Sequence, residues 1–256
     1  QYGYGRLANV FSSLEFERML SASGPYAGHL VRPSDGQEPK RIAWLQCVGS
    51  RDINHCDNGY CSSVCCMYAN KQAVIAKEHS PEPLDATIFY MDMRTFGKDF
   101  DKYNLRAEDD HGVRFVRSRI HSVYPSPEER LRIVYATEAG TTAEEIFDLV
   151  VLSIGLTADP QAVALAQRLG VALNGYGFAQ TQGTTPVQTS REGIYVCGAF
   201  QEPKDIPHSV MEASAAAACA GERLAAARWS LTQAKELPPE LDFSGQPPRI
   251  GVFVCN

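Results

Sequence analysis

Five of the eight cysteines of this 256-residue chain stand between positions 47 and 66, in CVGSRDINHCDNGYCSSVCC, and two of them are adjacent. Cys197, Cys219 and Cys255 are scattered over the remainder. The opening residues QYGYGRLANV contain no basic-then-apolar leader, so a reducing cytoplasm is the expected setting. Clustered thiols there point to metal or redox chemistry before disulfides. A helix beginning near Cys61 would put Cys61 and Cys65 on one face, with Cys66 offset by about 100°. Cys47, at the end of a neighbouring strand, would complete four ligands. Four thiolates suit either a [4Fe-4S] cluster or structural zinc. Zinc favours two short Cys-x2-4-Cys knuckles, and only Cys61–Cys65 resembles one, so the spacing leans toward a cluster. Inert buried thiols explain one or two cysteines well and five poorly. Cys56 and His55 stand close enough in sequence to substitute for a ligand. Thiol–disulfide exchange through Cys65–Cys66 is weaker, because adjacent cysteines form a strained ring and no Cys-x-x-Cys motif is present.

The elements that would position these residues alternate. Residues 10–24 read as a helix with a Ser12/Glu15 capping box, ended by Gly24-Pro25. Residues 25–40, rich in Pro and Gly, read as a linker. Apolar strands are expected at 41–48 (RIAWLQCV), 86–93 and 113–118, with helices at 62–79 and 98–110 between them. A hairpin-like pair around 120–124 and 131–137 and a buried strand at 147–154 close the unit. Near-continuous apolar strands alternating with helices predict a parallel α/β sheet with crossover helices. Beyond it come a helix at 162–169, a strand at 193–197 and an Ala-rich helix at 209–228. A Pro-rich linker at 236–248 leads to an apolar, strand-like end. Both termini read as cut, which leads us to expect a piece of a longer polypeptide.

Composition removes some classes. The chain is 44% hydrophobic and 21% charged with a net charge of −6 and no basic stripe, which argues against nucleic-acid binding. No apolar run approaches the roughly 18 residues of a membrane span. The loop after the first strand offers only Gly49 and Gly59 where a dinucleotide fingerprint needs three close glycines, so NAD(P) is not expected there. Asp92, at the end of the second strand, reads as a turn acid. GYGRLA at 3–8 matches a glycine motif in form but follows no strand. The run GIYVCGAFQEPKDIPHSVMEASAAAA offers small residues and a helix N-terminus, with Lys204 and Asp205 just before it.

The blocks SLEFERMLSASGP, LQCVGSRD with YCSSVCCMYANKQA, IFYMDMRTFGKDF, LVVLSIGL and GAFQEPKDIPHSVMEASAAAA resemble the A subunit of heterodisulfide reductase and its bacterial relatives. These are iron–sulfur flavoproteins with a thioredoxin-reductase-like core. The resemblance implies an FAD/NAD(P)-binding fold. Residues 1–38 would be a partial FAD-domain segment and linker, and 39–155 an inserted NAD(P)-domain-like unit. Residues 156–235 would complete part of the FAD domain, and 236–256 would lead into a truncated next domain similar to the family's own N-terminal domain. It implies a [4Fe-4S] cluster on Cys47, Cys61, Cys65 and Cys66. Gly198, Ala199, Lys204, Asp205, Ile206 and Ser209 are the implied flavin-site residues, with Lys204 tuning the flavin. Gly198-Ala199 replaces the Gly-Asp of thioredoxin reductases, and the first βαβ half with the FAD fingerprint is absent, so this piece is expected to hold FAD poorly and to be inactive alone. Electron transfer between FAD and clusters, by flavin-based bifurcation in the parent, is the implied function. Implied partners are other heterodisulfide reductase subunits, ferredoxin, and a hydrogenase or dehydrogenase subunit. The alternative from another class is a non-catalytic interaction domain with structural zinc. Cys56 has no assigned role.

Overall fold

The computed structural model describes residues 2–254. In chain order its elements begin with β1 (Val10–Ser12), α1 (Ser13–Leu20), β2 (Arg41–Val48), α2 (Ile53–Cys56), α3 (Cys65–His79), β3 (Asp85–Tyr90), α4 (Phe100–Asp109) and β4 (Arg114–Arg117). They continue with β5 (Val123–Ser126), β6 (Arg130–Ala136), β7 (Thr142–Phe147), β8 (Leu149–Ile154), α5 (Pro160–Leu169) and α6 (Ile206–Arg223). Five strands form one parallel sheet in the order β1-β8-β2-β3-β4, and β5-β6-β7 form an antiparallel sheet. This is the α/β fold anticipated from the alternation of strands and helices.

The two-residue period of a strand explains the layering. On β2, Ile42 and Trp44 point into a cluster with Phe16 of α1, Ala69 and Ala73 of α3 and Ala107 of α4. Ala43 and Leu45 point the other way, against Leu131, Ile133 and Phe147 of the antiparallel sheet. A strand covered on both faces is near-continuously apolar, and seven of the eight residues of β2 are buried, Gln46 being the polar one among them. Phe16 meets Trp44 edge-on at 5.5 Å. The Trp44 indole N–H donates to Gln72 Oε1 at 3.3 Å, and Gln72 Nε2 donates to the Ser13 carbonyl at 2.9 Å. That chain of bonds fixes α1, α3 and β2 to one another.

Several elements differ from expectation. The anticipated helix at 10–24 is a three-residue strand followed by α1; the Ser12/Glu15 capping box is present at its start. Three residues are too few to show a period, and β1 forms only because β8 offers a parallel edge. Thus β1 and α1, within the segment 1–38, pack into the layers of the sheet that carries the cysteines. α3 starts at Cys65 and not near Cys61 or Ser62. A third antiparallel strand, β7, and the single turn α2 carry no strong sequence signal. Residues 193–197 make only an isolated bridge, Gln188 to Tyr195. Residues 249–254 form no strand among the described residues, and Cys255 lies outside them. A lone strand leaves its backbone donors and acceptors unpaired, so apolar composition alone does not make one.

At the junction of the two sheets Glu145 accepts from Arg114 at 2.7 Å and from Tyr135 at 2.6 Å, and it pairs with Arg41. Burial raises its pKa, but the bonds from Tyr135, Arg114 and Arg41 more than offset this and hold the carboxyl below the ordinary glutamate value. A depressed folded value means that the stability it contributes is present above the unfolded pKa of about 4.3 and is lost as pH falls through the folded value. Glu145→Gln should therefore lower the urea midpoint at neutral pH and flatten its decline in acid. An unchanged acid limb would show that the network contributes nothing.

Candidate functional site

Cys47 sits where the pairing of β2 with β8 shifts register between Leu45 and Val48. Its φ is +60°, a left-handed conformation that costs a non-glycine residue about 1–3 kcal/mol and collects at functional sites. A bulge of this kind re-aims a side chain at the end of a strand. The loop it opens continues through Gly49 (φ +77°) and Arg51 (φ +53°) to α2, whose turn is capped by Asp52. The chain then returns past Cys61 and Ser62 to Cys65 and Cys66, the first two residues of α3. The Ser62 hydroxyl accepts from the Leu156 N–H at 2.9 Å, which ties this return to the end of β8. Gly155 is needed at that point: a Cβ there would lie 2.3 Å from Ser62 Oγ and 3.1 Å from Ser50 Cβ. The cysteines thus gather in the crevice outside the carboxyl ends of β2 and β8, the position in which open α/β sheets bind ligands.

Cys47, Cys61, Cys65 and Cys66 are free thiols; Cys61 is half-buried and the other three are buried. They sense one another. Burial pushes the Cys47 thiol up, Arg51 opposes this, and Cys66 and Cys61 push it further. A hydrogen bond between the adjacent pair raises Cys65 strongly and draws Cys66 down to about 7, with burial acting against the latter. The α3 N-terminus has no side-chain cap, so its unpaired N–H groups favour negative charge on these two sulfurs. Cys61 precedes the helix, so Cys61 and Cys65 do not share a helix face as the spacing suggested. Among the described residues no three His, Cys, Asp or Glu side chains converge to hold one metal ion. Cys47 and Cys65 each feel the charge of Cys61 and Cys66, so the four thiols stand near one another. The buried Ser50 hydroxyl, in the loop Cys47 opens, has no partner among the described residues. His55 and Cys56 are engaged elsewhere: the Asp52 carboxylate holds His55 Nδ1 at 3.0 Å, and Cys56 Sγ donates to the Asp52 carbonyl at 3.0 Å.

Beside the thiols lies an almost wholly apolar cavity of about 540 Å³. Ser63 and Val64, between Cys61 and Cys65, form one wall, and Met67, Tyr68 and Lys71 of α3 continue it. Phe100 and Tyr103 of α4 and Leu156 line it further, and Lys204, Asp205, Ile206 and Pro207 close it from the start of α6. Of the six residues expected at a flavin, Lys204, Asp205 and Ile206 reach this cavity. Gly198, Ala199 and Ser209 stand behind it: Gly198 and Ala199 form a tight turn, and Ser209 Oγ donates to the Asp205 carbonyl at 2.8 Å. Lys204 is buried and committed, donating to Gln201 Oε1 at 2.5 Å and paired with Glu212. Glu212 also accepts from the Gly198 N–H at 2.9 Å. Lys71, by contrast, meets Glu17 at 2.5 Å with both side chains nearly half exposed. Sequence reasoning missed Lys71, Met67, Tyr68, Phe100 and Tyr103. The run Val64, Met67/Tyr68, Lys71, at the spacing of one helix face, was the available signal. Glu212→Ala leaves the buried Lys204 ammonium only the largely exposed Glu202 carboxylate, 3.8 Å away, and removing one partner of a buried pair costs about 3–5 kcal/mol. Urea denaturation should show a loss of that size; a loss below about 1 kcal/mol would mean that Lys204 escapes to water.

Residues 25–218 match the family described as pyridine nucleotide-disulphide oxidoreductase. The chain is 46% identical over 230 residues to an iron-sulfur A subunit, the second of its kind, of the CoB–CoM heterodisulfide reductase of Methanopyrus kandleri, covering 88% of this chain and 35% of that protein. It is 42% identical over 221 residues to the A subunit of the H(2):CoB-CoM heterodisulfide,ferredoxin reductase of Methanothermobacter marburgensis, covering 85% and 33%. A protein of Archaeoglobus profundus, named for its likeness to the heterodisulfide reductase A subunit, is 40% identical over 246 residues, covering 87% and 34%. The chain spans about a third of the length of these curated relatives. It belongs to the pyridine nucleotide-disulphide oxidoreductase family, in the group formed by the heterodisulfide reductase A subunits.

Proposed function

We propose that this chain is the electron-relay section of an oxidoreductase subunit that passes electrons between FAD, seated in the apolar cavity, and a [4Fe-4S] cluster held by Cys47, Cys61, Cys65 and Cys66. One observation carries the reading: Ser63 and Val64, which wall the cavity, lie between two of the four cysteines, so both sites are built on the segment 61–66. A cavity of 540 Å³ with almost no polar lining falls in the range of small-molecule pockets and suits a flat aromatic ring. The bound groups would supply, respectively, interchange of electron pairs with single electrons and one-electron transfer.

The protein's own residues hold, shield and balance charge. Phe100, Tyr103 and Met67 give the cavity apolar walls. The α3 N-terminus and Arg51, whose Nη1 lies 4.0 Å from Cys47 Sγ, favour thiolate over thiol. Lys71 is the cation able to turn toward a ligand, because its link to Glu17 is half exposed and such pairs contribute about 0–1 kcal/mol. Lys204, expected in that role from the sequence, is neutralised by Glu212. In the whole parent chain Lys71→Ala should shift the flavin potential more than Lys204→Ala does; the reverse order in a redox titration would return the role to Lys204.

Residues 39–155 are read as the unit inserted into an FAD domain, with 156–235 a later part of that domain. Flavin-based bifurcation is the parent reaction we favour, since the Methanothermobacter relative's name pairs a heterodisulfide with ferredoxin. The partners this implies are other heterodisulfide reductase subunits, ferredoxin, and a hydrogenase or dehydrogenase subunit. No helix among the described residues is long and apolar enough to cross a membrane. A reducing cytoplasm would keep these thiols free.

Anaerobic preparation followed by iron, sulfide and zinc analysis tests the proposal. Four irons and four sulfides per chain, lost together in a Cys65→Ser/Cys66→Ser variant, are expected. Stoichiometric zinc with no sulfide would overturn it in favour of a structural zinc domain.

A further inference from the structure

Two guanidinium groups lie against the thiol site, and a single carboxylate holds both. Asp92, two residues beyond β3, receives Arg51 through both of its oxygens, the longer bond being 3.3 Å. The same carboxylate receives Arg94 Nε and Nη2 at 3.3–3.4 Å. Arg51 Nη1 is 4.0 Å from Cys47 Sγ. Arg94 interacts electrostatically with Cys61, and its backbone N–H helps to lower the pKa of Cys66. Three of the four sulfurs are therefore within reach of this pair. The arrangement is anchored rather than incidental: the Arg51 N–H donates to the Tyr60 carbonyl at 2.9 Å, bracing the loop of Cys47 against the residue before Cys61. The Arg51 side chain is only 20% exposed, so solvent screens it less than an ordinary surface charge.

We propose that Arg51, Asp92 and Arg94 form a charge clamp that sets the reduction potential of the group held by Cys47, Cys61, Cys65 and Cys66. The proposal rests on the cluster reading given above. A cluster with four thiolate ligands is anionic and gains one negative charge when reduced, so each nearby guanidinium stabilises the reduced state and the carboxylate opposes it. Cluster potentials respond to net charge, to hydrogen bonds on sulfur and to exposure, and the clamp supplies the first two. The three residues act through the ligands and are positioning residues. Asp92 bonds both arginines, which would otherwise repel, and so fixes how much positive charge reaches the sulfurs.

The test uses the 256-residue chain loaded anaerobically with ferrous iron and sulfide and titrated against redox mediators, with the reduced cluster followed by electron paramagnetic resonance. Arg94→Gln should lower the midpoint by at least a tenfold change in the one-electron equilibrium, about 59 mV, and Arg94→Lys should restore most of it. Asp92→Asn, which keeps the shape and removes the charge, should move the midpoint upward. The opposite signs separate a charge effect from general loosening, which would shift both variants together and so overturn the clamp. Full iron content with an unmoved midpoint in both Arg94→Gln and Asp92→Asn would overturn it as well. A wild-type chain that takes up neither iron nor sulfide would overturn the cluster reading, and the clamp with it.

Discussion

Burial of β2 on both faces determines where chemistry can occur in this fold. Helices α1, α3 and α4 cover one face of the parallel sheet, and the antiparallel β5–β7 sheet covers the other. A fully buried large apolar side chain contributes about 1.5–3 kcal/mol, and Ile42, Trp44 and Leu45 are all within that class. Against such terms the roughly 1–3 kcal/mol stored in the left-handed Cys47 is tolerated. With both faces closed, a ligand is left the ends of the strands, and open α/β sheets use the carboxyl ends. There the approach of Ser50 and Ser62 to Gly155 leaves no room for a Cβ. The strain at Cys47 and the glycine at 155 are two sides of one fit, in which a loop rich in thiols is pressed onto the end of a rigid sheet.

The two lysines at the cavity show how burial divides similar residues into different roles. Lys204 is among the most buried charged side chains, enclosed by Gln201 and Glu212, with Glu212 itself bound to the backbone at Gly198. Separating such a pair strands a charge in a poorly solvated place. Lys71 and Glu17 meet in partly exposed surroundings, where separation is nearly neutral because water replaces the partner. A side chain that must answer to a change of charge in the cavity needs a small penalty for leaving its resting partner. The same pair joins α1 to α3, so the element that carries Cys65 and Cys66 also carries the half-exposed Lys71.

Features set by local sequence were legible, and those set by convergence were not. Residues 41–48 match β2 at both ends because a doubly buried strand is dominated by apolar residues, with Arg41 at its edge and Gln46 the one buried polar side chain. Ser12 with Glu15 gave the α1 cap because a capping box is complete within four residues. The four cysteines were legible by type, yet the start of α3 was misplaced. Ser63, with φ +62°, breaks the helix in front of Val64, and nothing in the residue type announces that. Lys204 was prominent because it stands beside a helix start; its neutralisation by Glu212, eight residues on, depends on how the turn at Gly198 folds back. Asp92 read as a turn acid, since its partners Arg51 and Arg94 come from two loops that only the parallel pairing of β2 and β3 brings together.

The crevice that in a dinucleotide-binding unit would hold a pyrophosphate here holds sulfur, and the exchange requires little from the scaffold. A phosphate site at this position depends on unpaired N–H groups at the start of the following helix and on a loop that lets backbone come close. α3 keeps those unpaired N–H groups, because Val64 offers no side-chain cap. They stabilise a thiolate by the same charge–dipole interaction that would stabilise a phosphate oxygen. What differs is the loop. Glycines that would admit a bulky ligand are replaced by a longer excursion through α2, and its ends bring Cys47 and Cys61 to the helix that bears Cys65 and Cys66. On the proposed cluster reading, an anion built on the chain's own sulfurs would stand where such a unit binds a diffusible one. The guanidinium groups of Arg51 and Arg94, tied together by Asp92, would then offset a negative charge that does not dissociate.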